Sequence, residues 1–392
     1  MDFPGSENRE RYRNALARLR ENDGLRRLRH LRAEGNRIVC EGREMVNLSS
    51  NDYMGIGADP VLWNEFLSSA DRNEFGGGSC SSRLLTGNHP AYASLEKRLA
   101  VLYGAESALV FDSGWHANVG LLPALTSSKD LILADKLVHA SIIDGIRLSD
   151  AECIRYPHGN LERLETLLEK RREDYDNVFI VTESVFSMDG DCADLRRLAE
   201  LKRKYGAFLY VDEAHAFGVR GKRGLGLAEE QGVIAEIDFL VGTFGKAAAS
   251  QGAFAVTDDV FREYLVNTMR PLIFSTSLPP VSVRWTEFVV ERLTGMESSR
   301  RHLERLGERL RERLTTAGLE TAGKSQIVPL IVRDNRKAIA LSEYLCENGF
   351  FVLPIRRPTV PPGGERLRIS LTASLTEIQI ETLSELCARI GR

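Results

Sequence analysis

Apolar runs that end in polar residues dominate the stretch from residue 178 to residue 252. Three such runs are NVFIVTES, GAFLYVDEAHAFG and IDFLVGTFGK, and helical patterns such as ADLRRLAELKRKYG separate them. This alternation is typical of βαβ units whose strands are buried on both faces of a parallel sheet. The polar residues at the ends of neighbouring strands should therefore share one sheet edge, which is where open α/β sheets bind ligands.

The same pattern predicts elements on both sides of this stretch. Strands are expected at SALVFDSG, KDLILADK and AFAV, a hairpin at GNRIVCEGREMVNLSS, and an extended segment at LIFSTSLPP. A helix is expected over HPAYASLEKRLAVLYG, with Pro90 near its start and Gly104 at its end. The arginine-rich residues 9 to 32 have helical spacing and predict an amphipathic helix with a solvated basic face. A phosphate-rich or acidic partner is the alternative explanation for that run.

The pattern changes again after Val281. A long charged helix is followed by the short strands SQIVPLIV, GFFVLPI and RLRISL, which alternate with helices at 336–348 and 376–390. This order is typical of a smaller α+β domain. The chain has 392 residues, whereas single cores stop growing near about 250 to 300 residues. We therefore expect an arm of helix and hairpin over 1–50, a large α/β domain over 51–280 and an α+β domain over 281–392.

Composition narrows the class of protein. The net charge is −3 and the isoelectric point is near 6.2, which argues against a nucleic-acid binder because such domains are usually basic. Six cysteines are scattered without metal-ligand spacing, so we expect a reduced, cytoplasmic protein and no metal. No signal peptide or membrane span is predicted.

Lys246 and the pair Asp212 and His215 carry candidate chemistry at the predicted sheet edge. Lys246 follows a strand among small residues, so its amine is a candidate Schiff-base nucleophile. Asp212 and His215 end the preceding strand, and a carboxylate can keep a pyridine nitrogen protonated so that pyridoxal phosphate accepts electrons. Taken singly, a lysine after a strand is usually a solvated surface residue and such an aspartate is often a helix cap. The combination at adjacent strand ends favours the catalytic interpretation.

Three further features are candidates for contact with a ligand. The strand SALVFDSG runs into Gly114 and Trp115 at a helix start, an arrangement that presents backbone N–H groups to a phosphate. His139 precedes another helix, and its imidazole can stack on an aromatic cofactor. The loop FGGGSCSSRLLTGNHP is rich in glycine and serine, so its backbone can approach a ligand or another subunit closely.

Long motifs in order along nearly the whole chain give a resemblance to a known family. They are LSSNDYMG, TESVFSMDGD, VDEAHAFGV, TFGK and IRRPTVPPGGERLRISLTA. The chain resembles the α-oxoamine synthases, a family of fold-type I pyridoxal-phosphate enzymes. The resemblance implies an α/β fold, with a mostly parallel seven-stranded sheet, helices on both faces and a smaller α+β carboxyl-terminal domain. It also implies pyridoxal 5'-phosphate as cofactor and a homodimer with shared active sites.

The resemblance implies a role for each of the following positions. Around the cofactor ring, Lys246 would bond to the cofactor and remove the α-proton, Asp212 would pair with the pyridine nitrogen, His215 would contact the ring hydroxyl, His139 would stack on the ring, and Glu183 and Ser187 would surround the cofactor. The phosphate would be held by Gly114, Trp115 and Thr243, with Ser275 and Thr276 from a second subunit. The amino-acid carboxylate would be bound by Asn51 and Arg368, and the acyl donor would be faced by Arg26 and Arg356.

The proline-rich IRRPTVPP segment favours one reaction within the family. This reaction is the decarboxylative condensation of L-alanine with a pimeloyl thioester of coenzyme A or acyl carrier protein, giving 8-amino-7-oxononanoate for biotin biosynthesis. Sister reactions remain open: glycine with an acetyl or succinyl thioester, and serine with a long acyl chain. A pyridoxal-dependent aminotransferase or decarboxylase would share Lys246 and Asp212 but would not need that segment. A non-enzymatic relative is disfavoured because the Asp, His and Lys set is complete.

The chain departs from the family pattern at three positions. Trp115 stands where the family often has Phe or Tyr, which should be harmless if only its backbone binds. GKAAASQGAF lacks the glycine that is usual in GK-x-x-G, so the backbone on the phosphate side is expected to differ slightly. Arg357 replaces a common proline, which adds a positive charge on the acyl side and leaves the acyl group open.

Overall fold

The computed structural model describes residues 6–69, 71, 75–357 and 359–390. Pro358 of the proline-rich segment lies outside the described residues. The strands, in chain order, are β1 Leu31–Glu34, β2 Arg37–Cys40, β3 Arg43–Asn47, β4 Ser107–Phe111, β5 Asp130–Asp135, β6 Glu152–Tyr156, β7 Asn177–Glu183, β8 Phe208–Asp212, β9 Phe239–Thr243, β10 Ala253–Thr257, β11 Ile327–Ile331, β12 Phe350–Phe351, β13 Pro354–Ile355 and β14 Arg366–Ser370.

Helices connect most of these strands, and short 3-10 or π-helical turns lie at Arg83–Gly87, Arg172–Asp174 and Ile234–Glu236. The α-helices are α1 Ser6–Glu21, α2 Pro60–Ser69, α3 Pro90–Tyr103, α4 Gly114–Leu125, α5 Ala140–Leu148, α6 Leu161–Arg171, α7 Leu195–Tyr205, α8 Leu227–Gln231, α9 Asp259–Thr268, α10 Arg270–Phe274, α11 Pro280–Gly295, α12 Glu297–Thr316, α13 Asn335–Glu347 and α14 Glu377–Ile390.

The chain forms two compact units. The larger unit is Asn51–Glu304, and the smaller one combines the stretch that ends at Ser50 with the stretch that begins at Arg305. Helix α11, which the sequence-based division assigns to a carboxyl-terminal domain, belongs to the larger unit. It packs there against α3 and buries Val283, Val289 and other apolar side chains.

A seven-stranded sheet forms the centre of the larger unit, in the order β4-β10-β9-β8-β7-β5-β6. Neighbours from β9 to β6 are parallel, and β10 is antiparallel to both β4 and β9. Strands β4, β5, β9 and β10 are buried along their full length. This agrees with two-sided burial by helices. The predicted fold-type I architecture, a mostly parallel seven-stranded sheet, is confirmed.

Helix α3 shows how the local sequence sets element ends. Pro90 is at its first turn, and the His89 ring accepts a hydrogen bond from the Ala91 amide at 3.2 Å. Gly104 ends the helix with φ 65°, a left-handed conformation that costs glycine little. Both predicted ends of this helix are confirmed.

The smaller unit contains two sheets, with the orders β1-β2-β3-β12 and β11-β14-β13. The predicted hairpin is confirmed, because β2 and β3 pair antiparallel. Strand β3 also pairs with β12 in parallel, matching Val46 with Phe350. The hairpin therefore shares a sheet with a strand from the far end of the chain and is not an arm of its own.

Two predicted elements differ from the structure. The basic helix ends at Glu21 instead of continuing to residue 32. Asp23 takes a positive φ of 53°, and the Gly24 amide donates to the Leu19 carbonyl at 2.7 Å, which closes the helix. Residues 31–34 then pair with β2.

The segment LIFSTSLPP is only partly extended. Its first residues belong to the short helix α10, and the extended backbone begins at Ser275. Pro271 lies in the first turn of α10, where its fixed φ favours a helix. The sequence prediction was therefore wrong for Leu272 to Phe274.

Among the helices that the structure describes, none combines the length and apolar character needed to cross a membrane.

Candidate functional site

Three parallel strands end in polar residues at one edge of the central sheet. Glu183 ends β7, Asp212 ends β8 and Thr243 ends β9. Glu183 and Asp212 are register partners, and Asp212 is opposite Val241 of β9. Lys246 follows β9 after one turn of irregular chain. The structure thus brings together the polar strand ends that the sequence pattern placed on one edge.

Strand β4 leads into the amino end of α4, beside Thr243 at the end of β9. The Ser113 hydroxyl caps the helix by accepting the His116 amide at 3.2 Å. A Cβ added at Gly114 would lie 3.6 Å from Oγ1 of Thr243, an ordinary van der Waals contact, so Thr243 lies directly beside the helix start. The Thr243 hydroxyl donates to the Gly252 carbonyl at 3.0 Å and accepts the Gly245 amide at 3.2 Å. Unpaired N–H groups at a helix start favour phosphate.

Both oxygens of the Asp212 carboxylate are held in place. Oδ1 accepts the Ala214 amide at 2.8 Å, and Oδ2 accepts Nδ2 of Asn118 at 2.7 Å. The side chain is only 5% exposed. The carboxylate is therefore a fixed, buried acceptor at the sheet edge.

His139 caps the amino end of α5, and its Nδ1 lies 2.7 Å from the Ser141 hydroxyl. The pKa of His139 lies below its usual value. Burial lowers this pKa most, the nearby Asp212 opposes the shift, and the positive charge of Lys246 adds to it. These charges act on one another because the three groups are close. The Trp115 ring meets the His139 ring edge to face, at 6.2 Å between centroids.

Glu183 is a buried carboxyl group with an unusual environment. Burial raises its pKa well above the usual value, and Asp212 adds to this effect; Lys246 and a hydrogen bond from the His139 backbone oppose it. Its Oε1 atom is buried and has no hydrogen-bond partner among the described residues. An orphaned buried oxygen is costly, so this atom is suited to a partner supplied by a ligand.

A chain of contacts joins His215 to Asn51. The Tyr53 hydroxyl lies 2.7 Å from Nδ1 of His215 and 3.0 Å from Oδ1 of Asn51. Tyr53 is completely buried. The ring of His215 is thereby oriented by a residue that the sequence analysis quoted in LSSNDYMG but did not assign.

Ser187 lies in the loop that follows β7, and His158 anchors that loop. Nδ1 of His158 is 2.9 Å from Asp135 at the end of β5, and Nε2 is 2.8 Å from Asp191 in the loop. These hydrogen bonds to Asp135 and Asp191 raise the pKa of His158 to about 10. A charged imidazole therefore ties the loop to the sheet at neutral pH.

Ser275 and Thr276 follow α10, where Ser275 is half-buried and Thr276 is exposed. The next residue fixes this segment, since the Ser277 amide donates to the Ser81 carbonyl at 2.9 Å and the Ser277 hydroxyl donates to the Gly87 carbonyl at 2.9 Å. The segment is thus held against the glycine- and serine-rich loop.

The candidate arginines on the acyl side lie in the smaller unit. Nη2 of Arg26 donates to Oγ1 of Thr359 at 2.6 Å, and Nη1 of Arg356 donates to the Asp23 carbonyl. The segment after α1 and the proline-rich segment are therefore joined by both arginines.

Two other arginines of this unit have defined partners. Arg368 lies in β14 and donates from Nη1 to the Ser370 hydroxyl at 2.6 Å. Arg357, which departs from the family pattern, forms an ion pair with Glu365 at 2.8 Å. Glu365 is 1% exposed, so the added charge of Arg357 compensates a buried carboxylate.

The second departure from the family pattern has a visible backbone consequence. Ala249 stands at the place of the last glycine in GK-x-x-G, and its φ is 46°. This left-handed conformation favours glycine, yet alanine adopts it here. Its carbonyl accepts Nε1 of Trp285 at 3.0 Å, and its amide donates to the Lys246 carbonyl at 2.9 Å. The turn after Lys246 therefore keeps a conformation suited to glycine.

The sequence analysis missed four residues around this edge: Tyr53, Asn118, Ser141 and Tyr210. A weak signal existed for Asn118, which lies one helical turn after Gly114 and so shares its side of α4. A second weak signal existed for Tyr210, which shares a strand face with Asp212.

Comparisons with known proteins cover most of the chain. The aminotransferase class I and II family profile matches residues 43–390. An 8-amino-7-oxononanoate synthase of Chlorobaculum parvum is 53% identical over 354 residues, covering 89% of this chain and 90% of that protein.

Two solved structures are also similar. A serine palmitoyltransferase from S. paucimobilis with a bound PLP–myriocin aldimine has a TM-score of 0.90 at 30% identity, covering 98% of each chain. An 8-amino-7-oxononanoate synthase from Francisella tularensis has a TM-score of 0.75 at 30% identity, covering 88% of this chain and 97% of that one.

Proposed function

We propose that this chain, which belongs to the α-oxoamine synthases within the class I and II aminotransferase family, condenses L-alanine with a pimeloyl thioester. The thiol and carbon dioxide leave, and 8-amino-7-oxononanoate is formed for biotin biosynthesis. The observation that carries the proposal is the 53% identity to a relative of that name over 89% of the chain. The sheet edge with Lys246, Asp212 and His139 supports the same chemistry.

The residues of the sheet edge fit pyridoxal phosphate, the cofactor of this enzyme family. The phosphate is assigned to the amino end of α4 at Gly114 and Trp115, beside Thr243, and Asp212 is a fixed acceptor. When bound, the cofactor supplies an aldehyde carbon for an amine and a protonated ring nitrogen that withdraws electrons. Lys246 would bond to the cofactor, Asp212 would bind its ring nitrogen and His139 would stack on its ring face. His215 would bind the ring hydroxyl, and Glu183 and Ser187 would surround the cofactor. Gly114, Trp115 and Thr243 would hold the phosphate.

Other side chains of the protein are assigned to binding and deprotonating the substrates. Nζ of Lys246 takes the α-proton of alanine, which requires the amine to be neutral at that moment. The carboxylate of alanine is assigned to Asn51 and to the planar guanidinium of Arg368, which can donate two parallel hydrogen bonds. Arg26 and Arg356 are assigned to the acyl donor, whose carrier is coenzyme A or acyl carrier protein.

Serine palmitoyltransferase activity is the second candidate, because a structure of that enzyme has a TM-score of 0.90. Its identity is 30%, against 53% for the 8-amino-7-oxononanoate synthase. Overall shape is shared by enzymes of one family, whereas side chains select the substrate. The sequence identity therefore favours the pimeloyl reaction.

Thiol release separates these activities. With purified protein, pimeloyl thioester and alanine should release thiol at least about tenfold faster than acetyl thioester and glycine, about 1.4 kcal/mol of transition-state preference. Arg356→Ala should lower this preference more than Arg26→Ala does, and added salt should weaken the contribution of exposed charges. The preference is measured as the ratio of kcat/KM values.

Arg309→Ala is the matched control, because Arg309 belongs to the same unit and pairs with Glu381 at its surface. It should leave the ratio unchanged. Faster turnover of the acetyl and glycine pair, or of a long acyl thioester with serine, would reject the pimeloyl assignment.

We also propose a homodimer in which Ser275 and Thr276 complete the phosphate site of the partner. Support comes from exposed apolar side chains near these residues: Phe274 is 70% exposed and Leu85 is 78% exposed. A second copy of the chain would bury them, which stabilises association.

Sedimentation tests this assembly. Leu85→Asp should shift the protein toward monomer, since a charge would be buried in the contact. Its activity should fall in proportion to the fraction of dimer. Val260→Asp, at a residue that is 68% exposed in α9, is the matched control and should stay dimeric. A fully active monomer would contradict shared sites.

We place the protein in the cytoplasm. All six cysteines are free, and Cys80 is exposed, which is typical of a reducing compartment.

A further inference from the structure

Asn118 lies in α4 at the centre of a buried hydrogen-bond network. Its Nδ2 donates to Oδ2 of Asp212 at 2.7 Å and to the Ser141 hydroxyl at 2.9 Å. Its Oδ1 accepts the Tyr210 hydroxyl at 2.5 Å. Asn118 is 2% exposed, Ser141 is 1% exposed and Tyr210 is fully buried. Both amide hydrogens and the amide oxygen therefore have partners inside the protein.

The direction of each hydrogen bond follows from the chemistry of the groups. An ionised carboxylate only accepts, so the amide nitrogen of Asn118 must point to Asp212. The amide oxygen then points to Tyr210, which has to donate. Burial and the charge of Asp212 raise the pKa of Tyr210 well above its usual value, so the hydroxyl keeps its proton. Tyr210 thereby fixes which way the amide is turned.

The directions of these hydrogen bonds also determine which ring nitrogen of His139 carries a hydrogen. The Ser141 hydroxyl accepts from Asn118, which leaves its own hydrogen for Nδ1 of His139 at 2.7 Å. The Ser141 amide also donates to this Nδ1, at 3.2 Å. A ring nitrogen that accepts twice carries no hydrogen. The proton of a neutral His139 must then be on Nε2.

We propose that Asn118, Ser141 and Tyr210 are positioning residues that orient the Asp212 carboxylate and fix His139 in the tautomer with the proton on Nε2. One amide links the residue assigned to the ring nitrogen of the cofactor with the residue assigned to the ring face. The Asn118 side chain therefore orients the Asp212 carboxylate directly and the His139 ring through Ser141. This inference rests on the proposed cofactor roles of Asp212 and His139 but not on the choice of acyl donor.

The tautomer of His139 is measured by NMR of full-length protein labelled with ¹⁵N-histidine and loaded with pyridoxal phosphate. The seven histidines are resolved by comparison with His139→Gln, which removes the signals of interest. We expect Nδ1 of His139 to show the shift of an unprotonated nitrogen. A protonated Nδ1 in the unmodified protein would overturn the proposal without any need for a variant.

Variants test the individual members. Ser141→Ala removes the hydroxyl donor, so a measurable share of His139 should move to the Nδ1-protonated tautomer. Tyr210→Phe frees the Asn118 amide to turn, and the dissociation constant of pyridoxal phosphate should rise about tenfold, the factor that follows from losing a buried hydrogen bond.

Tyr103→Phe is the matched control, because the Tyr103 hydroxyl is also buried and donates to the Leu225 carbonyl at 2.8 Å, outside the network. It should change neither the tautomer nor the cofactor affinity. An unchanged tautomer in Ser141→Ala, or equal effects of Tyr103→Phe and Tyr210→Phe on cofactor affinity, would reject the positioning role. Neither measurement uses a thioester, so failure of the pimeloyl assignment would leave both results intact.

Discussion

Lys246→Ala should lower turnover by about 10⁴-fold or more, because one side chain is assigned both the covalent bond to the cofactor and the removal of the α-proton. The protein should still fold, since Lys246 lies in the turn after β9 and not within the core strands. Steady-state thiol release with alanine and pimeloyl thioester measures the loss.

Borohydride reduction gives an independent test of the same residue. Reduction should fix pyridoxal phosphate covalently to the protein, and peptide mapping should place the label on Lys246. Lys204 is the matched control because it is a lysine of the same unit that pairs with Glu165 at the surface. Lys204→Ala should incorporate the label as before. A label on Lys202, Lys204 or another lysine would refute the assignment of Lys246.

Asp212→Asn should slow α-proton exchange of alanine by about 10²- to 10³-fold, the range for removing one electrostatic group that acts on developing charge. Asparagine keeps the shape and the acceptor for the Ala214 amide, but it loses the acceptor for Asn118 and the negative charge that keeps a ring nitrogen protonated. Binding of alanine should change much less, because the carboxylate-binding groups are untouched. Exchange in heavy water, followed by NMR without any thioester, measures this step alone.

The control for Asp212→Asn is Asp238→Asn, because Asp238 precedes β9 at the opposite end of the same sheet. Its Oδ2 accepts the Leu209 amide at 2.7 Å, and its Oδ1 accepts from Lys202 at 2.9 Å. This change should leave exchange nearly unaltered. An exchange rate that is unaffected by Asp212→Asn would contradict the role of the carboxylate.

Hydrophobic periodicity was enough to predict most strands of the central sheet and the position of its polar edge. Periodicity identified β7, β8 and β9, and the carboxyl ends of adjacent parallel strands must meet at one edge. Glu183, Asp212 and Thr243 could therefore be placed together without knowledge of any distance. Local signals also determined element ends, as Pro90 and Gly104 do for α3.

Contacts between segments that are far apart in the chain could not be predicted from local sequence patterns. Strand β10 enters between β4 and β9, and β3 pairs with β12, because strand pairing depends on long-range hydrogen bonds that periodicity does not encode. The partner of Arg357 is likewise a carboxylate buried by the fold of its own unit. Asn118 had no distinctive local pattern, yet α4 and β8 bring it to Asp212. Side-chain networks of this kind depend on the angles and separations between packed elements, so their members become visible only when the chain is folded.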